Sequence, residues 1–100
     1  MTAFNGPVHL VGIGGMHMSA IALLLRARGV VVSGSDIRPS GLTQKVAAAG
    51  ASVSFGHDAA NVPAGTALLV TTAAAQDDNP ELAEARRRGI RSVGVQHGFI

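Results

Sequence analysis

A glycine-rich turn at residues 11–18 (VGIGGMHM) has the residue types and spacing that most clearly predict chemistry. It follows a short apolar run and opens a helical pattern, which is the context of a phosphate-binding turn. Gly12 permits a tight turn, Gly14 lets the backbone approach a ligand closely, and Gly15 adds another position without a Cβ. The helix start offers backbone N–H groups, that of Met16 among them, and a partial positive charge. The turn therefore predicts a diphosphate site.

His17 stands where the dinucleotide-binding fingerprint has its third glycine. This departure weakens a nicotinamide or flavin assignment, but it leaves the helix dipole and the N–H groups to serve a diphosphate in general. The imidazole of His17 either donates to a phosphate or sugar at the helix start or caps that turn. For the turn as a whole, the alternative to ligand binding is that it only packs the helix onto the sheet.

Two further pairs of polar residues fall at the ends of predicted strands. Ser35 and Asp36 close the second strand, at about the distance from the glycine turn at which a carboxylate accepts hydrogen bonds from ribose hydroxyls. Alternatively, Asp36 caps the turn that follows. Thr71 and Thr72 follow the fourth strand, at the sheet edge where ligands collect, and their hydroxyls either meet a ligand or cap the turn.

The histidines and acidic residues predict less. His57 lies in a loop after the third strand and is either a surface group or a ligand contact, whereas His9 lies within the first strand and is interpreted as structural. Four histidines without cysteine and without close ligand spacing do not predict a metal site. Glu81 and Glu84 are typical of the acidic start of a helix, so an acid/base pair is not expected there.

Strand-like and helix-like patterns alternate along the chain, which predicts parallel βαβ units. We expect an α/β, Rossmann-like, three-layer domain with a mostly parallel five-stranded sheet. Gly29, Gly50 and Gly89 are predicted to end the helices, with Asn79 and Pro80 starting the third. The predicted strands are Pro7–Val11, Val30–Val32, Ser52–Phe55, Ala67–Val70 and Ile90–Val95, and Gly34 is predicted to end the second of them. The predicted helices are Met16–Arg28, Leu42–Ala49 and Pro80–Arg88.

Length and composition set the class of protein. One hundred residues, 47% of them hydrophobic, are enough for a single globular domain with one core. No apolar segment is long enough to span a bilayer and no secretory leader is evident, so a cytoplasmic protein without a membrane partner is expected. The net charge is only +2, and the basic cluster at residues 86–88 falls at a helix end, where cations complement the dipole. A nucleic-acid partner is therefore not expected.

Four separated motifs together resemble the N-terminal domain of the Mur ligase family. They are GIGG at 12–15 followed by Met18-Ser19, GSD at 34–36, GH at 56–57 and DNPEL at 78–82, and the likeness extends from His9 to about Val95. Within the family, the motifs are most similar to those of the ligases that attach L-alanine to UDP-N-acetylmuramate in peptidoglycan synthesis.

The resemblance implies a Rossmann-like domain over residues 1–100 that binds the UDP part of UDP-N-acetylmuramate. The glycine turn would meet the diphosphate and the second and third strands would supply groups near the uridine. Carried over residue by residue, the implied contacts are Gly12, Gly14, Gly15, Met16 and His17 at the diphosphate, Ser35, Asp36 and His57 near the uridine, and Thr71, Thr72 and Ala73 bordering the same pocket.

The same resemblance places the ATP and magnesium sites in a central domain, which with a C-terminal domain would complete the ligase. The single lysine, Lys45, is not in a P-loop pattern, so the chain is expected to bind without a cofactor and not to ligate by itself. Two alternatives remain: a nicotinamide-dinucleotide-binding domain of a truncated oxidoreductase, and a nucleotide-sensing regulatory module.

Overall fold

The computed structural model describes residues 6–72 and 79–95, which form five β-strands, three α-helices and one short 3-10 helix. Strands and helices alternate, as the sequence predicts. The strands are β1 (Val8–Val11), β2 (Val32–Asp36), β3 (Ser52–Phe55), β4 (Leu68–Thr72) and β5 (Arg91–Val95); the helices are α1 (Met16–Ala27), α2 (Gly41–Ala48) and α3 (Pro80–Arg88), with the 3-10 helix at Ala59–Asn61.

The five strands form one sheet in the order β3-β2-β1-β4-β5, and every neighbouring pair is parallel. The chain moves outward from β1 to β2 and β3, then returns to the other side of β1 for β4 and β5. The strand order thus reverses beside β1, and the carboxyl end of β1 is where open α/β sheets bind ligands. The expected α/β, Rossmann-like sheet is confirmed.

The helices cover both faces of the sheet, which gives the three expected layers. Every second strand residue points to the same face, so each strand contributes to two packing layers. The layer beneath α1 and α2 is apolar, and it contains Val8, Leu10, Ile13, Met18, Ala22, Val32, Val46 and Val70. A smaller apolar cluster lies on the α3 side and contains Val11, Val62, Leu69, Leu82 and Ala85.

Local signals in the sequence end the helices as expected. Gly29 and Gly89 adopt positive φ values of 80° and 72° just beyond α1 and α3, a conformation that glycine enters without steric cost. The Asn79 side chain accepts hydrogen bonds from the amides of Glu81 and Leu82, and Pro80 occupies the first turn of α3. These predictions are confirmed.

Two predicted strands have bounds that are wrong by two residues or more, whereas the first and fifth strands each begin one residue later than predicted, at Val8 and Arg91. The second begins at Val32, not Val30, because the Val30 amide closes the end of α1 by donating to the Leu25 carbonyl. It continues through Gly34, where a Cβ would come within 2.6 Å of both the Ile13 side chain and the Leu10 carbonyl. Gly34 therefore allows the glycine turn to pack on the sheet and does not end the strand.

The fourth strand extends to Thr72, so the prediction that Thr71 and Thr72 follow it is wrong. Both residues pair with β5, Thr71 with Gly94 and Thr72 with Val95. Because successive strand residues alternate between faces, the two hydroxyls point to opposite sides of the sheet.

Candidate nucleotide site

The glycine turn is fastened to the end of β2 by its own amides. Gly12 has φ +80°, as a tight turn after β1 requires. The amides of Gly12 and Ile13 both donate to the Ser35 carbonyl, at 2.8 and 2.9 Å, and the Gly15 amide donates to the Gly12 carbonyl at 3.0 Å. These bonds shape the turn, so the amides that remain for a ligand lie at the start of α1.

Asp36 contacts the turn directly. Its Oδ2 accepts a hydrogen bond from the Gly14 amide at 2.7 Å, and its Oδ1 accepts one from the Ile37 amide at 2.7 Å. A Cβ at Gly14 would lie 2.6 Å from Asp36 Oδ2 and 2.7 Å from the Thr43 methyl carbon. Glycine is therefore needed at position 14 because Asp36 and α2 pack against it from inside the protein, and these contacts shape the turn.

The start of α1 is open toward solvent. Gly15 is its N-cap, and no side chain in the described parts of the chain caps the helix. Met16, the first helical residue, is 77% exposed. The first turn carries no acidic residue that would offset the positive end of the helix dipole, and the Asp36 carboxylate beside the turn is already bonded to the Gly14 and Ile37 amides.

A cavity of about 60 Å³ lies beside this helix start. It brings together four residues of the glycine turn and its helix with the ends of β4 and β5, and the sequence predicts that the glycine turn and Thr72 share a site. The lining residues are Gly12, Gly15, His17, Met18, Thr72 and Val95. Thr72 is thus beside the predicted diphosphate groups.

Thr71 lies elsewhere. It faces the α3 side of the sheet and is 7% exposed, and within the described ranges its hydroxyl has no hydrogen-bond partner. Ala73 falls outside the described residues.

Ser35 and His57 meet on the α3 side, opposite the glycine turn. The Ser35 hydroxyl is fully buried; it donates to Glu81 Oε1 at 2.7 Å and lies 2.9 Å from His57 Nδ1. His57 Nδ1 is also 3.4 Å from Glu81 Oε2, and the His57 side chain is 23% exposed. Of these two predicted contacts, only the imidazole reaches the surface.

Glu81 is the centre of this network and was not predicted as a functional residue. Its side chain is fully buried between α3 and the sheet. Oε1 accepts from His9 Nε2 at 2.6 Å, and Oε2 accepts from the Asp58 amide at 3.1 Å and Asn61 Nδ2 at 2.9 Å. The other nitrogen of His9 lies 2.7 Å from the Ser33 hydroxyl, so His9 is structural, as expected.

The hydrogen bonds keep Glu81 ionised despite its burial. Burial by itself raises the pKa of a carboxyl group, but the bonds from His9, Asn61, Ser35 and the Asp58 amide outweigh it and lower the pKa of Glu81 from 4.5 to about 2. The domain therefore contains a buried negative charge that is fully partnered.

A pattern in the sequence could have indicated this network. His9 lies between apolar residues of β1, and Ser33 and Ser35 alternate along β2, so the three side chains share one face in the register in which the strands pair. Buried polar groups on one face need a polar partner, and the α3 carboxylate provides it.

Exposed apolar side chains surround the carboxyl edge of the sheet. Met16, Ile37 and Phe55 are 77%, 68% and 49% exposed, and Phe55 is in register with Asp36 on the neighbouring strand. Apolar groups at the rim of a polar site are typical of ligand-binding surfaces.

Residues 6–72 and 79–95 hold no group of three or more His, Cys, Asp or Glu side chains that could bind a metal ion. In the same ranges, no helix has the length and apolar character needed to cross a bilayer.

Comparison with known proteins gives a consistent family. The model of the Mur ligase family, catalytic domain, matches residues 7–97. A UDP-N-acetylmuramate–L-alanine ligase of Gloeobacter violaceus is 52% identical over 89 residues, which is 89% of this chain and 18% of that protein.

Two solved structures extend the comparison. The UDP-N-acetylmuramate–alanine ligase of Thermotoga maritima superposes with a TM-score of 0.82 at 35% identity, over 88% of this chain and 20% of that one. A murein peptide ligase of Psychrobacter arcticus gives 0.77 at 30% identity, over 89% and 19%. The chain thus spans about a fifth of the length of the relatives that it matches.

Proposed function

The chain belongs to the Mur ligase family, and on that premise we propose that it is the N-terminal domain that binds the UDP part of UDP-N-acetylmuramate in a ligase adding L-alanine. The observation that carries the proposal is the open start of α1. Its amides and dipole face a cavity at the point where the strand order reverses, and they suit a diphosphate.

The residues divide by the part of the nucleotide that they would meet. Gly12, Gly15, the Met16 amide, His17 and Thr72 are proposed for the diphosphate, because they line or adjoin the cavity. Gly14 is proposed to contribute by allowing the backbone conformation of the turn, because its amide already donates to Asp36.

The nucleoside is proposed to lie beyond Asp36, toward the end of β3. Asp36 and His57 are the predicted contacts there that reach the surface, and Phe55 and Ile37 provide apolar area for the base. Ser35 acts beneath this surface because its hydroxyl is buried. Thr71 and Ala73 stay as predicted contacts that rest on the family resemblance alone.

The complete reaction would need more than this domain. ATP and magnesium would supply carboxylate activation in the proposed ligase and would be held by its central domain. The central and C-terminal domains are also the proposed partners of this chain. The cytoplasm, where these nucleotides occur, is the proposed location.

A thermal-shift series with the 100-residue chain tests the proposal. UDP-N-acetylmuramate and UDP should raise the melting temperature, whereas ATP and NAD should not. A ligand bound only by the native state adds about 2.7 kcal/mol at one hundred times its dissociation constant. Stabilisation by NAD without stabilisation by UDP would overturn the proposal in favour of the nicotinamide alternative.

A matched variant shows whether the response comes from the proposed site. Thr72→Val keeps the shape of a residue that lines the cavity but removes its hydroxyl, and Thr66→Val does the same at a residue whose hydroxyl bonds to the Pro63 carbonyl. UDP stabilisation should fall in the first variant only. An equal response in both variants would place the nucleotide elsewhere.

A further inference from the structure

The hydrogen-bond network on the α3 side dictates which nitrogen of His57 carries the proton. Ionised Glu81 can only accept hydrogen bonds. The single hydroxyl proton of Ser35 is donated to Glu81 Oε1 at 2.7 Å, so the Ser35 oxygen is left as an acceptor toward His57 Nδ1 at 2.9 Å. The second neighbour of Nδ1, Glu81 Oε2 at 3.4 Å, also requires a donor. Both contacts therefore require a proton on Nδ1.

The outer nitrogen of His57 is then an acceptor whenever the ring is neutral. In a neutral imidazole, one nitrogen carries the proton and the other presents a lone pair. Within residues 6–72 and 79–95, nothing bonds to Nε2, and the ring is 23% exposed. A neutral histidine in water favours the opposite tautomer, in which Nε2 would be a donor. The network thus reverses the hydrogen-bonding character that His57 presents.

We propose that Glu81 and Ser35 are positioning residues that hold neutral His57 with its proton on Nδ1, so that Nε2 accepts a hydrogen bond from an N–H or O–H group of the bound nucleoside. The inference rests on the proposed function for the identity of the ligand. A diphosphate at neutral pH offers acceptors and no such donor, so the tautomer selects the base or ribose as the partner of His57.

Glu81 is fixed firmly enough for this role. His9 on β1, Asn61 on the 3-10 helix and the Asp58 amide each donate to it, so both carboxylate oxygens have at least two partners or neighbours. The titratable groups in the network are Glu81, His9 and His57. Rotation of the carboxylate would break hydrogen bonds to several elements at once. The Glu81 carboxylate therefore keeps a fixed orientation toward His57.

Nitrogen-15 NMR of the imidazole rings tests the tautomer without any ligand. At about pH 8.5, where an ordinary imidazole is neutral, His57 should show Nδ1 protonated and Nε2 with a lone pair. Ser35→Ala removes the nearer acceptor and should shift His57 toward the Nε2-protonated form. Ser33→Ala is the matched control, because it removes a buried hydroxyl from the same strand and face whose hydrogen-bond partner among the described residues is His9.

Binding measurements by calorimetry complete the test. Ser35→Ala should weaken UDP binding about three- to tenfold, the value of one hydrogen bond, and leave pyrophosphate binding unchanged. Glu81→Gln should also weaken UDP binding. If that variant does not fold, the comparison of Ser35→Ala with Ser33→Ala still tests the proposal.

The possible failures can be told apart. A folded wild-type chain with His57 protonated on Nε2, or a Ser35→Ala variant that binds UDP as tightly as Ser33→Ala, overturns the inference alone. A wild-type chain that shows the expected tautomer but no response to UDP overturns the proposed function, and with it the ligand-facing part of the inference.

Discussion

Asp36 and Glu81 are carboxylates on opposite faces of the sheet, and each orients a part of the candidate site. Asp36 holds the glycine turn through the Gly14 amide, and Glu81 holds His57 through Ser35. Neither carboxylate needs to touch the nucleotide to matter. At the scale of single residues, each carboxylate is a hydrogen-bond acceptor that fixes the position of a donor. For Asp36 the donor is the Gly14 amide, and for Glu81 it is the Ser35 hydroxyl next to His57.

The Asp36→Ala variant tests whether Asp36 fixes the shape of the glycine turn in addition to stabilising the fold. Asp36→Ala leaves the Gly14 and Ile37 amides without their acceptor, and we expect a loss of about 1–2 kcal/mol in the free energy of unfolding. UDP affinity should fall by about tenfold or more, because the loosened turn no longer fixes the start of α1. Chemical denaturation and calorimetry measure the two effects.

Ser40→Ala is the control for Asp36→Ala. It removes the N-cap of α2, which accepts from the Thr43 amide, and should cost about 1 kcal/mol in unfolding free energy while both Asp36 bonds to the Gly14 and Ile37 amides stay in place, although Thr43 itself packs near Gly14. If both variants lower UDP affinity equally, general destabilisation explains the effect and Asp36 has no specific role.

Glu81 makes stability depend on acid pH. Its folded pKa of about 2 lies below the unfolded value of 4.5, so the unfolded chain takes up the proton first. The stabilisation is complete above about pH 4.5 and is lost as the pH falls toward 2, with a total of about 3 kcal/mol by order of magnitude. Denaturant unfolding of the wild type between pH 6 and pH 3 should show this decline.

Glu81→Gln should flatten that pH dependence. Glu84 also has a pKa lowered to about 2, by its hydrogen bonds to Arg87 and Arg88. Because Glu84 is present in both chains, its contribution cancels when the two are compared. A wild-type and a Glu81→Gln chain with the same slope would show that the buried carboxylate is not ionised in the folded state.

At the scale of elements, the helices were easier to predict than the strand ends. Local backbone geometry gives the helix-end residues their roles, so these roles can be predicted from the sequence. The residues are Gly29, Gly89, Asn79 and Pro80. Gly34 carries the same residue type but has a tertiary role, since it makes room for Ile13. A local rule therefore ended β2 too early.

The candidate site was likewise predicted only where local sequence signals define it. The glycine turn, Asp36 and Thr72 follow directly from the parallel arrangement of strand ends. The link between His9 and Glu81 joins β1 to α3 across 72 positions of sequence, and no local pattern specifies that distance. Only the alternation of polar residues in β1 and β2 pointed to it.

Gly34→Ala tests the packing of the glycine turn on β2. The added Cβ would lie 2.6 Å from the Leu10 carbonyl, which is backbone and cannot move aside cheaply. We expect a loss of about 1–3 kcal/mol in the free energy of unfolding. Gly41→Ala is the control, because a Cβ there meets nothing within 4 Å and favours the helix. Equal stability of the two variants would contradict the close approach.

At the scale of the whole molecule, the domain offers a nucleotide only part of an enclosure. A cavity of about 60 Å³ is far below the roughly 300 Å³ at which ligand pockets begin, so most of a nucleotide sugar would lie on the open carboxyl edge. That edge is where the proposed central and C-terminal domains would close over the sugar and its carboxylate.

This geometry gives an expected order of affinities for the isolated chain. UDP and UDP-N-acetylmuramate should bind within about threefold of each other, because helix α1 and the end of β2 hold only the shared UDP part, and threefold is about 0.7 kcal/mol. Uridine should bind more weakly, since it lacks the groups that the start of α1 attracts. Calorimetry at fixed salt measures all three ligands. A preference of more than about thirtyfold for the nucleotide sugar would mean that this domain itself holds the sugar, and the division of the substrate between domains would have to be redrawn.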